Sequence, residues 1–399
     1  RFSSHGWVSI WDTAKPSVWL TSWCIKIFQH VSFQDWEDYI YVDPQVFGSA
    51  AMWLINYQNI DGAFAETEYY QRPLHKAMEN KDLDGKRNIS LTAHVLISLH
   101  EIAPRLEGEA KKYCSTSRQR AVKYLERNLP KIKNAYDMAI TAYALAISGS
   151  SEANAAHGKL MQMKHPGGYW SPTKIDPNKF RDENNVPYLQ PKDKQINDAL
   201  AVEATAYALL TLFLVEGGGV TILQDQVVTW MNTMRLGNGG FISTVDTVVA
   251  LEALVTYSYN SRIKDITNLK IELELPDSNI TEVLEIDGVG ISLLRQIDLP
   301  NVWGTMTLDA KGAGQAVAQL DVNWSVDYEA FKDVAPKQCF DLTIDERLRG
   351  RNSSEIDVRS CFSWTCTEDS DTSGMAMLVM DIPSGYVMQQ VSCSSPKGI

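Results

Sequence analysis

The stretch DALAVEATAYALLTLFLVE, residues 198–216, decides the fold because its predicted helix is apolar on almost every side. Such a helix must be buried over most of its surface. Further segments rich in apolar residues recur through the first 260 residues, at 17–31, 43–58, 89–103, 136–148 and 245–258. The larger part of the chain therefore consists of helices that each need packing partners on several sides.

More polar helices separate these apolar ones, as in RQRAVKYLERNL (118–129) and DQVVTWMNTMR (225–235). An amphipathic helix covers only one side of its neighbour. Ser17 and Asp43 stand at the N-cap positions of two apolar helices, and Pro44 lies in the first turn of the second. This alternation predicts inner and outer helices paired in an α/α toroid over residues 1–260, in which repetition completes the core.

Three short loops place glycine just before an aromatic residue, beside a long apolar helix. They are IDGAF (60–64), HPGGYW (165–170) and GNGGF (237–241). Glycine permits a tight turn at φ values that other residues avoid. We expect each aromatic ring to fill the seam between neighbouring helix pairs; the alternative is three unrelated turns.

Beyond about residue 261 the helical pattern gives way to alternating polar and apolar residues, as in ITNLKIELEL (266–275), which predicts strands. Glycines mark turns between further strand-like stretches, the last being GMAMLVMDIPSGYV (374–387). We expect all-β sandwiches, one at 261–332 and the beginning of another at 336–399.

Composition excludes several classes of partner. The 399-residue chain has a formal net charge of -12, which argues against nucleic acid or an anionic membrane surface. Apolar runs fall short of the roughly 18 residues that a membrane span needs. Cysteines and histidines lack zinc-ligand spacing, so the sequence predicts neither a metal site nor another cofactor.

Four N-x-S/T sequons, at Asn88, Asn279, Asn323 and Asn352, predict N-glycosylation. Of the six cysteines, four crowd into the last 61 residues. Together these features favour a secreted, disulfide-bonded glycoprotein. Cys339 and Cys361 are expected to find partners beyond residue 399, and a Cys24–Cys114 bond is a further possibility.

The helical motifs resemble, in order, those of the thioester-containing proteins, the family of alpha-2-macroglobulin, complement and the insect thioester proteins. VWLTSWCIKIF (18–28) is similar to the family's S-T-W-L-T-A-x-V helix. RPLHKAM (72–78) stands where members carry P-V-I-H-x-E-M. VEATAYALLTL (202–212) matches a later helix of the family, in the same order along the chain. The segments CFDLTIDE (339–346) and SGMAMLVMDIPSGYV (373–387) look like the opening of the C-terminal macroglobulin domain.

This resemblance implies three domains. Residues 1–260 would be a thioester domain without its first helices, and residues 261–332 the C-terminal part of a CUB domain. Residues 336–399 would begin the receptor-binding macroglobulin domain. The chain would thus be a fragment of a longer protein.

The resemblance also implies chemistry at His75. Family members form an internal thioester within Cys-Gly-Glu-Gln, a motif that would lie upstream of Arg1. A histidine at the place of His75 attacks this thioester and forms an acyl-imidazole. The residues after it depart from the family's Gln-Gly-Gly, because Glu79-Asn80-Lys81 stand there. The alternative interpretation is a divergent structural relic or a surface histidine. The other histidines form no paired constellation in the sequence.

Three functions follow as hypotheses. The first is a secreted innate-immune protein that tags microbial surfaces or traps proteases through single-turnover acyl transfer, not a turnover enzyme. Its partners would be microbial glycans and proteins or proteases, a phagocyte receptor and its own upstream domains. The second is a thioester-less adhesion or scaffolding protein, as in the insect macroglobulin complement-related branch. The third, a toroid enzyme such as a terpene cyclase, is disfavoured because DLDG (82–85) stops short of an acidic Asp-x-Asp-Asp motif.

Overall fold

The structure is a computed structural model. It describes residues 3, 5–10, 14–33, 38–67, 74–75, 88–173, 175, 196–217, 220–236, 239–261, 267–291, 293–299, 304–314, 316–320, 338–367, 376 and 378–388. The chain divides into two compact units, residues 1–322 and 323–399. The predicted finer division at residues 260 and 332 stays a prediction.

Helices occupy most of the described chain up to residue 261. They are α1 (Val18–Val31), α2 (Pro44–Ile55), α3 (Asn88–Ile102), α4 (Gly108–Asn128), α5 (Ala135–Ile147), α6 (Ala153–Gln162), α7 (Ile196–Glu216), α8 (Ile222–Thr233) and α9 (Thr244–Asn260). The predicted helical domain is confirmed.

Odd-numbered helices form the inner layer of this domain. In chain order α1 packs on α3, α3 on α5, α5 on α7 and α7 on α9, while the even-numbered helices pack outside them. Nearly every residue of α5 is buried, whereas α4 buries only one face. Lys26 of α1 reaches Glu252 of α9, with Nζ and Oε2 2.8 Å apart, so the first and last of these inner helices face one interior. The arrangement follows the predicted alternation.

Helix starts follow the predicted caps. The Ser17 side chain accepts the backbone N–H of Leu20, and Asp43 caps α2 with Pro44 as its first residue. Glu66 adds a second cap to α1: its carboxylate accepts the backbone N–H groups of Val18 and Trp19 and the Ser17 hydroxyl. A carboxylate there also compensates the positive end of the helix dipole.

The three glycine–aromatic loops share one geometry. Gly62, Gly168 and Gly239 all have positive φ, and Phe64, Trp170 and Phe241 are buried two residues later. At Gly62 a Cβ atom would lie 2.2 Å from the Arg120 carbonyl oxygen of α4, so only glycine fits. The predicted tight turn with a buried aromatic residue is confirmed at all three loops.

A fourth copy of the loop escaped the sequence analysis. Gly6 has φ +90°, and Val8 occupies the place of the aromatic residue. In all four copies the backbone N–H of the residue two after the glycine donates to a threonine hydroxyl on the next inner helix. The pairs are Val8–Thr21, Phe64–Thr92, Trp170–Thr205 and Phe241–Thr247, at 2.9 to 3.0 Å.

The strands form two separate small sheets. β1 (Asn268–Leu275), β2 (Ile280–Asp287) and β3 (Thr307–Ala313) make an antiparallel sheet in the order β2-β1-β3. β4 (Phe340–Arg349) and β5 (Glu355–Trp364) form an antiparallel hairpin, with Phe340 opposite Trp364. The predicted sandwiches are not confirmed.

The strand predicted at 374–387 is wrong for the residues that can be judged. Ala376 and residues 378–387 form no strand. Strand-like composition alone does not suffice, because a strand needs a hydrogen-bonded neighbour. Leu378, Val379 and Met380 are correspondingly exposed.

The cysteines also correct an expectation. Cys339 pairs with Cys366, 27 residues on, and not with a partner beyond residue 399. Cys24 and Cys114 are not bonded, and burial raises the pKa of each thiol to about 11, which makes both poor nucleophiles. Cys361 is an exposed free cysteine.

Helix α7 is longer and more apolar than the sequence analysis allowed. Its segment Asp198–Glu216 is apolar enough, by length and composition, to cross a membrane. However, 72% of its most apolar 18-residue stretch is buried within the protein. Burial among the other inner helices accounts for that composition.

Candidate functional site

His75 lies inside the helical domain. It is only 7% exposed, so the surface-histidine interpretation is wrong. Its ring packs against Trp19 of α1, with centroids 5.3 Å apart, and against Tyr136 of α5 at 5.7 Å. Two inner helices therefore hold the imidazole between aromatic rings.

Glu203 of α7 is the polar partner of His75. One carboxylate oxygen, Oε2, lies 3.0 Å from Nε2 of His75, and the other, Oε1, accepts the Tyr136 hydroxyl at 2.6 Å. Glu203 is 3% exposed, so both bonds lie in a region of low dielectric, where they are stronger than in water. Burial, with the Glu203 carboxylate beside it, raises the pKa of Tyr136 well above 10, so its hydroxyl stays protonated and donates.

His94 of α3 is a second imidazole in the same site. Its ring stacks on two tryptophan rings of α1, with centroids 5.7 Å from that of Trp19 and 6.1 Å from that of Trp23. Both imidazole rings therefore pack against Trp19, a shared neighbour that the sequence did not predict. The sequence alone does not indicate this shared neighbour, because 19 positions separate the two histidines.

Burial determines the state of His94. Loss of solvation, with the nearby His75 and Lys26 adding to it, lowers the pKa of His94 to about 3. Its Nε2 atom has no hydrogen-bond partner among the described residues. His94 is thus a neutral imidazole with an unpaired nitrogen.

The local sequence positions these groups through helix ends. Trp19 lies in the first turn of α1, which Glu66 caps, and Tyr136 lies in the first turn of α5, which Asn134 caps through its side chain. Capping fixes the residue at which each helix begins. It thereby fixes the position of Trp19 and Tyr136 along their helix axes.

A second polar cluster lies further along the inner helices. Lys26 pairs with Glu252 at 2.8 Å and with Glu101 at 3.6 Å, and Glu101 also contacts His30 at 2.6 Å. Burial alone would lower the pKa of Lys26, but the two carboxylates outweigh it and raise that pKa. Tyr143 hydrogen-bonds to Glu252. His30, Glu101 and Glu252 lie close enough to share a metal ion, but Lys26 already supplies their cation.

The predicted glycosylation sites differ in their surroundings. Asn279 and Asn352 are exposed at positive φ in the turns of the two hairpins. Asn88 begins α3, where the sequon's Ser90 is buried and donates to Asp137. Asn323 lies outside the described residues, as does DLDG at 82–85.

Sequence analysis missed Glu203 and Tyr136, which lie 128 and 61 residues from His75. One signal was available: Glu203 interrupts an otherwise apolar helix, and a buried carboxylate is rare unless it is paired. Periodicity places it on a buried helix but does not identify its partner.

Comparisons with known proteins place these features in context. The sequence profile of the A-macroglobulin TED domain matches residues 1–257. Complement C3 of Lethenteron camtschaticum is 27% identical over 347 residues, covering 82% of this chain and 18% of that protein. Thioester-containing protein 1 allele R1 of Anopheles gambiae is 26% identical over 392 residues, covering 97% of this chain and 25% of that protein. Complement C3 of Oncorhynchus mykiss is 27% identical over 397 residues, covering 96% of this chain and 21% of that protein. The chain thus spans 18% to 25% of the length of these relatives.

Proposed function

Because this chain belongs to the A-macroglobulin TED-domain family, we propose that it is part of a secreted, complement-like protein of innate immunity. In this proposal the helical domain tags a microbial surface or traps a protease by one acyl transfer from an internal thioester. The proposal requires a thioester cysteine and glutamine elsewhere in the full-length protein. The two relatives named complement C3 and the one named thioester-containing protein support this assignment.

The observation that carries the proposal is the burial of His75 against Trp19, Tyr136 and Glu203. A neutral imidazole is nucleophilic, and an acylated imidazole is a good leaving group. An acyl acceptor needs protection from water, which would hydrolyse the acyl-imidazole before a target hydroxyl arrives. The site of His75 provides this protection.

The proposed partners follow from this chemistry. Hydroxyl groups on microbial glycans and proteins would receive the acyl group as esters. Predicted glycans at Asn279 and Asn352, both exposed, and the Cys339–Cys366 disulfide agree with secretion. A phagocyte receptor and the upstream domains of the same protein complete the proposed set, and the net charge of -12 argues against nucleic acid.

The test uses the native full-length protein and peptide mass spectrometry with and without methylamine. An intact thioester takes up methylamine on its glutamine and releases a thiol. In that protein we expect His75→Ala to shift bond formation from esters with glycerol toward amides with methylamine. His165→Gln, a change at an exposed histidine, serves as the matched control. An unchanged ester-to-amide ratio in the His75 variant would exclude the acyl-acceptor role.

If methylamine leaves no tag, the acyl-transfer mechanism is wrong. A thioester-less binding or scaffolding protein of the same family would then be the function, and His75 would be part of its core.

A further inference from the structure

We propose that Glu203, supported by Tyr136, is the positioning residue that fixes the tautomer of His75 and thereby selects which nitrogen receives the acyl group. This inference rests on the proposed function, because it assigns a residue to the same acyl transfer. It stands on two hydrogen bonds to one buried carboxylate, at 3.0 Å to His75 and 2.6 Å from Tyr136.

The first step concerns protons. An ionised carboxylate can only accept hydrogen bonds. When His75 carries a single imidazole proton, the 3.0 Å contact therefore places that proton on Nε2, facing Oε2 of Glu203. The lone pair then resides on Nδ1, which becomes the nucleophilic atom. A partner that holds one ring nitrogen sets the state of the other in this way.

The second step concerns charge. Nδ1 of His75 attacks the thioester carbonyl carbon, and the C–S bond breaks with its electron pair leaving on sulfur as a thiolate. Nδ1 is now acylated while Nε2 keeps its proton, so the ring carries a positive charge. The Glu203 carboxylate faces that charge. An orienting carboxylate stabilises an imidazolium formed during acyl transfer without taking its proton.

The third step restores the site. A target hydroxyl attacks the acyl carbon and gives its proton to the thiolate, so an ester and a thiol form. The C–N bond breaks with its electron pair returning to Nδ1, and His75 is neutral again. Glu203 changes neither its charge nor its bonding throughout.

The position of Tyr136 explains why the carboxylate keeps one orientation. Its hydroxyl donates a hydrogen bond to Oε1, which leaves Oε2 facing the imidazole. The Tyr136 ring also packs on His75, with centroids 5.7 Å apart. Tyr136 therefore contacts both the Glu203 carboxylate and the His75 ring that this carboxylate orients.

The first experiment measures the tautomer directly, on the 399-residue chain labelled with ¹⁵N-histidine. We expect the two-bond ¹⁵N–¹H NMR correlations to show the Nε2–H form of His75, assigned by its loss in His75→Gln. In Glu203→Gln this form should lose its dominance, because an amide can donate or accept. A dominant Nδ1–H form in the unchanged chain would overturn the inference, whether or not a thioester exists.

The second experiment measures acyl transfer in the full-length protein. Glu203→Gln should lower ester formation with glycerol about 10- to 100-fold, as loss of an orienting partner commonly does. Direct aminolysis by methylamine should keep its rate, since amines attack the thioester without an imidazole. Glu252→Gln, the same change at the half-buried carboxylate that pairs with Lys26, is the matched control and should leave the ester-to-amide ratio unaltered.

The two proposals fail differently. If His75→Ala abolishes glycerol transfer but Glu203→Gln does not, the acyl transfer stands and the role of Glu203 is wrong. If neither the unchanged protein nor any variant takes up methylamine, the proposed function fails, and the NMR result alone decides whether Glu203 fixes the tautomer.

Discussion

The interior of the helical domain holds two clusters built from the same three kinds of side chain. In one, Glu203 joins Tyr136 to His75; in the other, Glu252 joins Tyr143 to Lys26. The two tyrosines lie seven residues apart on α5, so two helical turns separate the clusters. The main difference is the base, which is a titratable, nucleophilic imidazole in one and a permanently charged amine in the other.

In the proposed acyl transfer, that difference gives the two clusters different roles. Lys26 balances two carboxylates and links α1 to α3 and α9, which is a structural role. The raised pKa of Lys26 keeps it charged, and a protonated amine has no lone pair with which to attack a carbonyl. A neutral imidazole, in contrast, has a lone pair on one ring nitrogen even when the other nitrogen donates a hydrogen bond. The same frame can therefore stabilise a fold or support chemistry, depending on one residue.

The largest effect is expected from removing each base. Lys26→Met leaves two largely buried carboxylates without a cation, and should lower the free energy of unfolding by about 3 kcal/mol. His75→Gln keeps a donor toward Glu203 and should cost only about 1 kcal/mol. Urea denaturation followed by helical circular dichroism measures both. Equal losses in the two variants would contradict the structural role of Lys26. The double variant Lys26→Met/Glu252→Gln should recover part of the stability that Lys26→Met loses, because it also removes one unpaired carboxylate.

An intermediate effect is expected on acidification, from the second imidazole in the site of His75. The folded pKa of His94 is about 3, against the ordinary value of 6.5, so the unfolded chain binds a proton that the folded one does not. Stability from this group is complete above pH 6.5 and falls as the pH drops from 6.5 toward 3. At pH 4.5 the loss should be about 2–3 kcal/mol.

Replacing His94 by phenylalanine should remove this acid-dependent part of the stability curve, because phenylalanine preserves the stack on Trp19 and binds no proton. Denaturation midpoints measured between pH 4 and pH 8 test this. His165→Gln, at an exposed position, should leave the curve unchanged. If the His94 variant keeps the full acid sensitivity, another group is responsible.

The smallest effect is expected from the tyrosine hydroxyls. Tyr136→Phe and Tyr143→Phe each remove one hydrogen bond to a carboxylate, at a cost of about 1 kcal/mol. The two should nevertheless separate in function, because only Tyr136→Phe should lower glycerol transfer in the full-length protein. Equal transfer by the two variants would show that Glu203 needs no support from Tyr136.

Much of the helical fold was predictable, because caps and apolar faces are local signals. Ser17 and Asp43 marked two helix starts correctly. Helix α6 was missed, since it buries little more than Ala156 and Leu160 and contains Gly158, which weakens its helical pattern. The fourth loop was missed because Val8 stands where the other copies have an aromatic residue. The β predictions were less reliable, since a strand depends on a neighbour distant in sequence.

The site was less predictable than the fold. His75 came from resemblance to a family and not from periodicity. Glu203 and Tyr136 belong to buried helices whose sequence gives no indication that they face the same histidine. Only the packing of α5 against α7 brings their side chains together.

The four loop–threonine hydrogen bonds have a consequence for how this fold can change over evolution. The donor and acceptor are separated by 6, 13, 28 and 35 residues in the four copies, yet the bond is the same. His75 lies between Phe64 and Thr92, within the 28-residue interval. The same bond joins loop and helix whatever the number of residues between donor and acceptor. Substitutions and insertions around His75 can therefore accumulate while the packing of the helices persists. The residue at position 75 can thus change in evolution without a rebuilding of the helical domain.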